Sequence, residues 1–275
     1  MKFSSIVVRS LQNYRVNPLL ALPALIGFLV SLISGNVYYS IIQGCSLQAA
    51  TGPCLMSFSW YYLVDPVIQS VVGLFLILGS VGMTEQIMLG YQASLEGWVR
   101  GIRLHFVRVF IILLVFGVIE LPISIAGAMG YSIFILPRVL SQTLTANFVT
   151  EFTRVDAWAS MTWHELLEPL MSFLAMFAYL CLASAVLDRR GLRASFSTAL
   201  GIVKRNGGLF FSFLLLIWAV DFMVGLSGGA PSLIGITQPT FGASTLSSIV
   251  SSLARTVISP FWYLIAFAFY TESRT

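Results

Sequence analysis

Five ionisable residues, Asp65, Glu120, Glu168, Asp221 and Arg255, fall inside or at the ends of long apolar stretches. Charge in hydrocarbon is costly, so such groups mark ion or proton paths, polar cavities or intramembrane ion pairs. Their spacing is patterned. Glu120 and Asp221 differ by an offset of 101 positions, whereas the corresponding earlier position is Leu32, which argues against a ring of three carboxylates. Glu120 lies 14 residues past Phe106, and at ~1.5 Å per helical residue it falls in the outer half of a hydrocarbon core about 30 Å thick. Asp65, Glu168 and Arg255 fall toward the same side, so the layer reads as a cation or proton site or a polar cavity open to the outside. Asp65 and Glu168 carry a plainer reading, because each precedes a proline. An acid before proline at a helix start meets exposed N–H groups and the positive dipole end. For Glu120 and Asp221 the plain alternative is an ion pair to Arg255.

Enzyme signatures are missing. The two histidines cannot supply a three-histidine zinc site, and Trp163-His164-Glu165 with Glu168 lacks the second histidine of a zinc-protease helix. Glycine-rich phosphate loops, nucleophile elbows and Cys-x-x-Cys pairs do not occur, so the expectation is a non-enzyme without cofactor or metal, whose ATP would come from a separate subunit. Cys45 and Cys54 flank Gly52-Pro53 in an outward loop and form either a disulfide or two free thiols; Cys181 reads as a packing residue.

Composition identifies the elements that must position these groups. With 57% apolar and 9% charged residues and a mean hydropathy of +0.89, the chain is an integral membrane protein; soluble domains carry about 25% charged residues. Apolar stretches of spanning length fall at about 17–42, 60–83, 107–134, 166–187, 207–229 and 246–270. Each pair of spans is preceded by an amphipathic segment. Val7, Ser10, Leu11 and Tyr14 become Leu95, Trp98, Val99 and Ile102 at an offset of 88, and these become Phe196, Ala199, Leu200 and Val203 at 101. Under the same offsets Arg15, Arg103 and Lys204 coincide, as do Asn17, His105 and Asn206. His105 therefore reads as a boundary polar residue. Asp65-Pro66, Glu168-Pro169 and Ser259-Pro260 would open the return spans, and Gly117, Gly127, Gly130, Gly225 and Gly228 would allow close helix contact.

The predicted fold is all-α and polytopic: six transmembrane helices in three repeats of an amphipathic elbow plus a two-helix hairpin, at about 1–87, 88–188 and 189–275 of a single membrane domain. Twelve Lys and Arg residues fall on one side of this topology and two, Arg138 and Arg154, on the other. The positive-inside rule then makes both termini and the elbows cytoplasmic in a plasma or inner membrane. The run after Lys2, Arg9 and Arg15 is too long for a cleaved signal and reads as a retained anchor. Arg15, Arg103, Lys204 and Trp98 would form the cytoplasmic lipid interface.

Arg15-Val16-Asn17-Pro18-Leu19-Leu20, Ala199-Leu200-Gly201-Ile202-Val203-Lys204-Arg205-Asn206 and Ser259-Pro260-Phe261-Trp262-Tyr263 resemble segments of prokaryotic membrane proteins related to the membrane domain beside some glycerophosphodiester phosphodiesterases. That resemblance implies architecture; the catalytic barrel has no counterpart here, so the activity does not carry over. In size and topology the chain also resembles the membrane subunit of archaeal DNA-import, conjugation-like systems. The expectation is a non-enzymatic transport, channel or scaffold subunit with lipid and protein partners, such as a separate ATPase, small membrane subunits or further copies of itself. Alternatives are a proton- or cation-coupled solute transporter, a DNA-import channel subunit with nucleic acid as partner, and a lipid-modifying enzyme.

Overall fold

The computed structural model describes residues 2–33, 52–130, 133, 169–233 and 241–274, and within them the side chains of Asp65, Asp221 and Arg255 lie outside the description. The described residues are helical. Helix α1 (Phe3–Val16) ends at Asn17, and α2 (Pro18–Ile33) opens with a 3-10 turn over Pro18–Ala21. There follow α3 (Gly52–Met88), α4 (Leu95–Gly130), α5 (Pro169–Leu187), α6 (Leu192–Arg205), α7 (Gly207–Leu233) and α8 (Phe241–Arg274). Three described stretches are long and apolar enough to cross a bilayer: Val67–Met88, Leu95–Ile123 and Pro169–Leu187. The pairs α1 with α2 and α6 with α7 reach five if each bent pair counts as one span. The protein is thus a helical chain with membrane-spanning character.

Two of the expected elbows stand out as bends. The axis turns by 92° between α1 and α2 and by 97° between α6 and α7. Local chemistry explains both, since Asn17-Pro18 removes a backbone donor and Asn206-Gly207-Gly208 lowers helix propensity. The corresponding residues after the middle amphipathic segment are His105-Phe106-Val107, with neither proline nor glycine, and there α4 runs on without a break. Two of the return-span prolines, Pro66 and Pro260, differ from expectation. Helix α3 starts at Gly52-Pro53, where proline suits the first turn, and passes through Asp65 and Pro66; α8 contains Pro260 in its interior.

The elbows bury a mixed face of small, polar and apolar residues and leave further apolar residues exposed. Ile6 and Ser10 of α1, Gly97 and Gly101 of α4, and Ser195, Ala199 and Ile202 of α6 face inward, while Leu11, Val99 and Leu200 are 56%, 49% and 47% exposed. In water a helix turns its apolar residues to the core; here apolar residues are also presented outward, where lipid can cover them.

The chain divides into two compact units. In the unit of Lys2–Val107 and Ser252–Ala268, Leu20, Met83, Ile87 and Leu264 form a core against which Tyr14 and Trp98 pack. The Tyr14 hydroxyl donates to the Val257 carbonyl at 2.5 Å, fixing α1 to α8. In the unit of Arg108–Ser251 and Phe269–Thr275, Phe116 stacks on Phe196 and Phe177 meets Phe196 edge-on, around the buried face of α5.

Candidate functional site

The best-defined polar site lies where α3 and α4 cross. Helix α3 ends in a glycine cap: Gly90 has φ +88°, its N–H donates to the Ile87 carbonyl at 3.0 Å, and the Tyr91 N–H donates to Gln86 at 2.9 Å. Four residues later Ser94 caps α4, its hydroxyl accepting the Gly97 N–H at 3.1 Å. Gln86 Oε1 accepts both the N–H and the hydroxyl of Ser94 at 3.1 Å, and Asn17 Oδ1 accepts the Ala93 N–H at 2.8 Å. This short turn therefore ties α1 to the hairpin with few unmet backbone groups.

Beyond the turn the two helices touch backbone to backbone. A Cβ on Gly101 would lie 2.6 Å from the Leu78 carbonyl oxygen and 2.7 Å from Gly82 Cα, and one on Gly79 would collide with the Trp98 indole. Gly97 and Gly101 form the small-xxx-small pattern that brings membrane helices together. Gly117, expected at such a contact, is exposed and would meet nothing. Trp98 Nε1 donates to the Phe75 carbonyl at 3.2 Å, so this residue anchors α4 on α3.

The close crossing brings Glu85 and His105 together. His105 Nε2 lies 2.9 Å from Glu85 Oε2, with the residues 1% and 7% exposed. Both belong to apolar stretches of spanning length. His105 Nδ1 is buried without a hydrogen-bond partner among the described residues. Next to Glu85 the Thr84 hydroxyl is already donated to the Ser80 carbonyl at 2.7 Å. The dyad pairs a carboxylate with an imidazole, a combination able to hold and exchange a proton.

A second polar cluster closes the end of α5. Asp188 accepts the Tyr270 hydroxyl at 2.6 Å, pairs with Arg190 Nε at 3.1 Å and also holds Arg274 Nη1. Arg274 is half-exposed and lies over the Tyr270 ring. The adjoining turn contains Arg189 at φ 55°, a strained conformation for a residue with a Cβ. Asn206 donates weakly to Ser273 Oγ at 3.5 Å.

Of the predicted intramembrane groups, Glu120 is half-buried on α4, two residues before Pro122. Asp65 lies well inside α3, so it does not cap that helix. Asp221 and Arg255 belong to α7 and α8, while Glu168 and the Trp163-His164-Glu165 segment lie outside the described residues. The Cys45–Cys54 pair also lies outside the described side chains. Arg15 and Lys204 sit in the last turns of α1 and α6, and Arg15, Arg103 and Lys204 are all exposed. Among the described residues, His, Cys, Asp and Glu form no group of three that could hold a metal ion.

Glu85 was not among the sequence candidates, because hydropathy alone ends its span near residue 83. A signal was nonetheless present. The offset of 103 that relates Pro66 to Pro169 also relates Glu85 to Asp188, the two acids that organise the polar clusters. Comparison with protein-family models, with curated proteins and with solved structures finds no match to this chain.

Proposed function

We propose that the chain is a non-enzymatic membrane subunit serving transport, a channel or a scaffold, built on six spans in three elbow-plus-hairpin repeats. Its termini and elbows would lie on the cytoplasmic side of a plasma or inner membrane. The observation that carries this reading is the geometry of α1 and α6, which turn by 92° and 97° away from the helices after them. Both end in cations, Arg15 for α1 and Lys204 with Arg205 for α6, and both leave apolar residues exposed. A helix of this kind at right angles to a span lies in the headgroup boundary, where each cation near anionic lipid contributes about 1 kcal/mol. It also offers a ready docking face to a cytoplasmic partner.

The test is native mass spectrometry after extraction in mild detergent, on wild type and on the Arg103→Glu, Lys204→Glu double variant. The expected result is a stable complex with partner subunits or further copies that the charge reversal weakens. A chain recovered alone, with lipid only and unchanged by the reversal, would refute the subunit reading.

A second reading, a proton- or cation-coupled carrier, draws on the half-buried Glu120 carboxylate within apolar α4. Such a carrier works alone in liposomes and fails on Glu120→Gln. A subunit does neither.

A further inference from the structure

We infer that Glu85 and His105 form a reversible proton-binding site within the membrane domain, with the exchanging proton on His105 Nδ1. Two independent observations meet here. The acid and the imidazole are in hydrogen-bond contact at 2.9 Å and both are buried, and Nδ1 has no partner among the described residues.

The dyad's proton bookkeeping makes Nδ1 the reactive atom. With Nε2–H donating to the Glu85 carboxylate, a neutral imidazole gives a dyad of net charge −1 and leaves a lone pair on Nδ1. A proton added to that lone pair forms an N–H bond and breaks none. The hydrogen bond to Glu85 stays in place and becomes an imidazolium–carboxylate pair of net charge zero. A net negative charge in an apolar setting is costly, whereas a hydrogen-bonded pair of opposite charges is far less so, and the uptake therefore suits the site. In either state Nδ1 remains a buried polar atom that gains from a hydrogen-bonding visitor, the route by which a proton would arrive or leave.

The charged group one turn further along α4 is Arg108, three residues past His105 and only partly exposed. The other charged groups with described side chains on these helices are Lys2 before α1, Arg9 and Arg15 on α1, Glu96, Arg100 and Arg103 on α4, all exposed, the half-buried Glu120 further along α4, and Glu272 and Arg274 at the end of α8. Helix α2 contains no charged residue. Asp65 is far up α3, about 30 Å from Glu85 at ~1.5 Å per residue, and Arg255 is on α8 nine positions before the core residue Leu264. The nearby phenol of Tyr14 is engaged at Val257.

The test uses the full-length protein in lipid nanodiscs, labelled with 15N at histidine. The chain has two histidines, so the His164→Gln variant assigns the His105 signals. Lowering the pH stepwise from alkaline to acid conditions should convert Nδ1 reversibly from a bare nitrogen to an N–H. A proton-release assay should find about one more proton taken up per chain than in His105→Gln, and Glu85→Gln, which removes the counter-charge, should abolish that uptake. A His105 that keeps one protonation state across the range, or equal uptake by wild type and His105→Gln, overturns the inference. It rests on the membrane reading only for the dyad's surroundings. A chain that stays monodisperse without lipid or detergent defeats that reading while the titration is still readable in buffer, and a membrane-bound chain with a silent His105 defeats the proton site alone.

Discussion

Replacing Gly101 with alanine should separate α3 from α4. The added methyl would stand 2.6 Å from the Leu78 carbonyl oxygen and 2.7 Å from Gly82 Cα, and both obstacles are backbone, which cannot rotate away as a side chain can. Favourable contact needs about 3.5 Å, so the helices must part by ~0.8 Å, and a gap of that size forfeits a quarter to a half of each neighbouring contact. Overpacking of this kind costs about 1–3 kcal/mol. Alanine also favours the helix by up to about 1 kcal/mol relative to glycine, so the proper reference is Gly117→Ala, where a Cβ meets nothing and only that gain operates. The measurement is reversible unfolding of both variants in the same detergent. Gly101→Ala should be about 1–3 kcal/mol less stable than Gly117→Ala. The shift would also stretch the 2.9 Å Glu85–His105 contact beyond hydrogen-bond reach, altering the histidine nitrogen signals. Equal stability of the two variants would refute the backbone crossing.

Asn17→Ala removes the acceptor of the Ala93 N–H and should cost about 1–3 kcal/mol in the same unfolding assay; an unchanged stability would mean that the bond does not hold α1 to the hairpin. Asp188→Asn keeps an acceptor for the Tyr270 hydroxyl and loses the charge facing Arg190 and Arg274. Because both arginines are well exposed, the loss should be about 1 kcal/mol or less and should shrink with added salt, whereas a large, salt-insensitive loss would contradict this. Alkylation of the protein with and without reductant should yield a mass difference of two blocked thiols if Cys45 and Cys54 are joined, and none if both are free.

Much of the helical, membrane-embedded character is legible in the sequence, since it follows from apolar runs whose length the bilayer dictates. The bends at Asn17-Pro18 and at Asn206-Gly207 are legible as well, once the absence of proline and glycine at His105-Phe106-Val107 is weighed. The start of α3 was harder to read. Asp65-Pro66 and Gly52-Pro53 both look like helix openings, and a proline can be carried inside a membrane helix when its neighbours satisfy the freed carbonyl. The dyad was hidden for a different reason. Hydropathy discounts Glu85 as the end of a span, while its burial depends on four glycines, Gly79, Gly82, Gly97 and Gly101, that let α4 approach α3.

The three aligned polar residues Asn17, His105 and Asn206 show how one register position can be put to different uses. Asn17 accepts a backbone N–H and Asn206 reaches a serine hydroxyl, both neutral contacts that fix the end of a helix. His105 occupies the same position, yet its helix continues, and its partner is a buried acid. A glutamine there, whose amide nitrogen reaches about as far as the imidazole Nε2, could donate to Glu85 and hold the crossing, so the hydrogen bond alone does not call for an imidazole. What the imidazole adds is a second ring nitrogen able to take up a proton. Asp188, the acid related to Glu85 by the 103 offset, instead meets Tyr270 and two exposed arginines. Its charge is answered by permanent cations, whereas that of Glu85 is answered by a group able to give its proton up. This contrast is why His105→Gln, which can keep a donor at the Nε2 position, is the variant expected to preserve the fold and lose the proton.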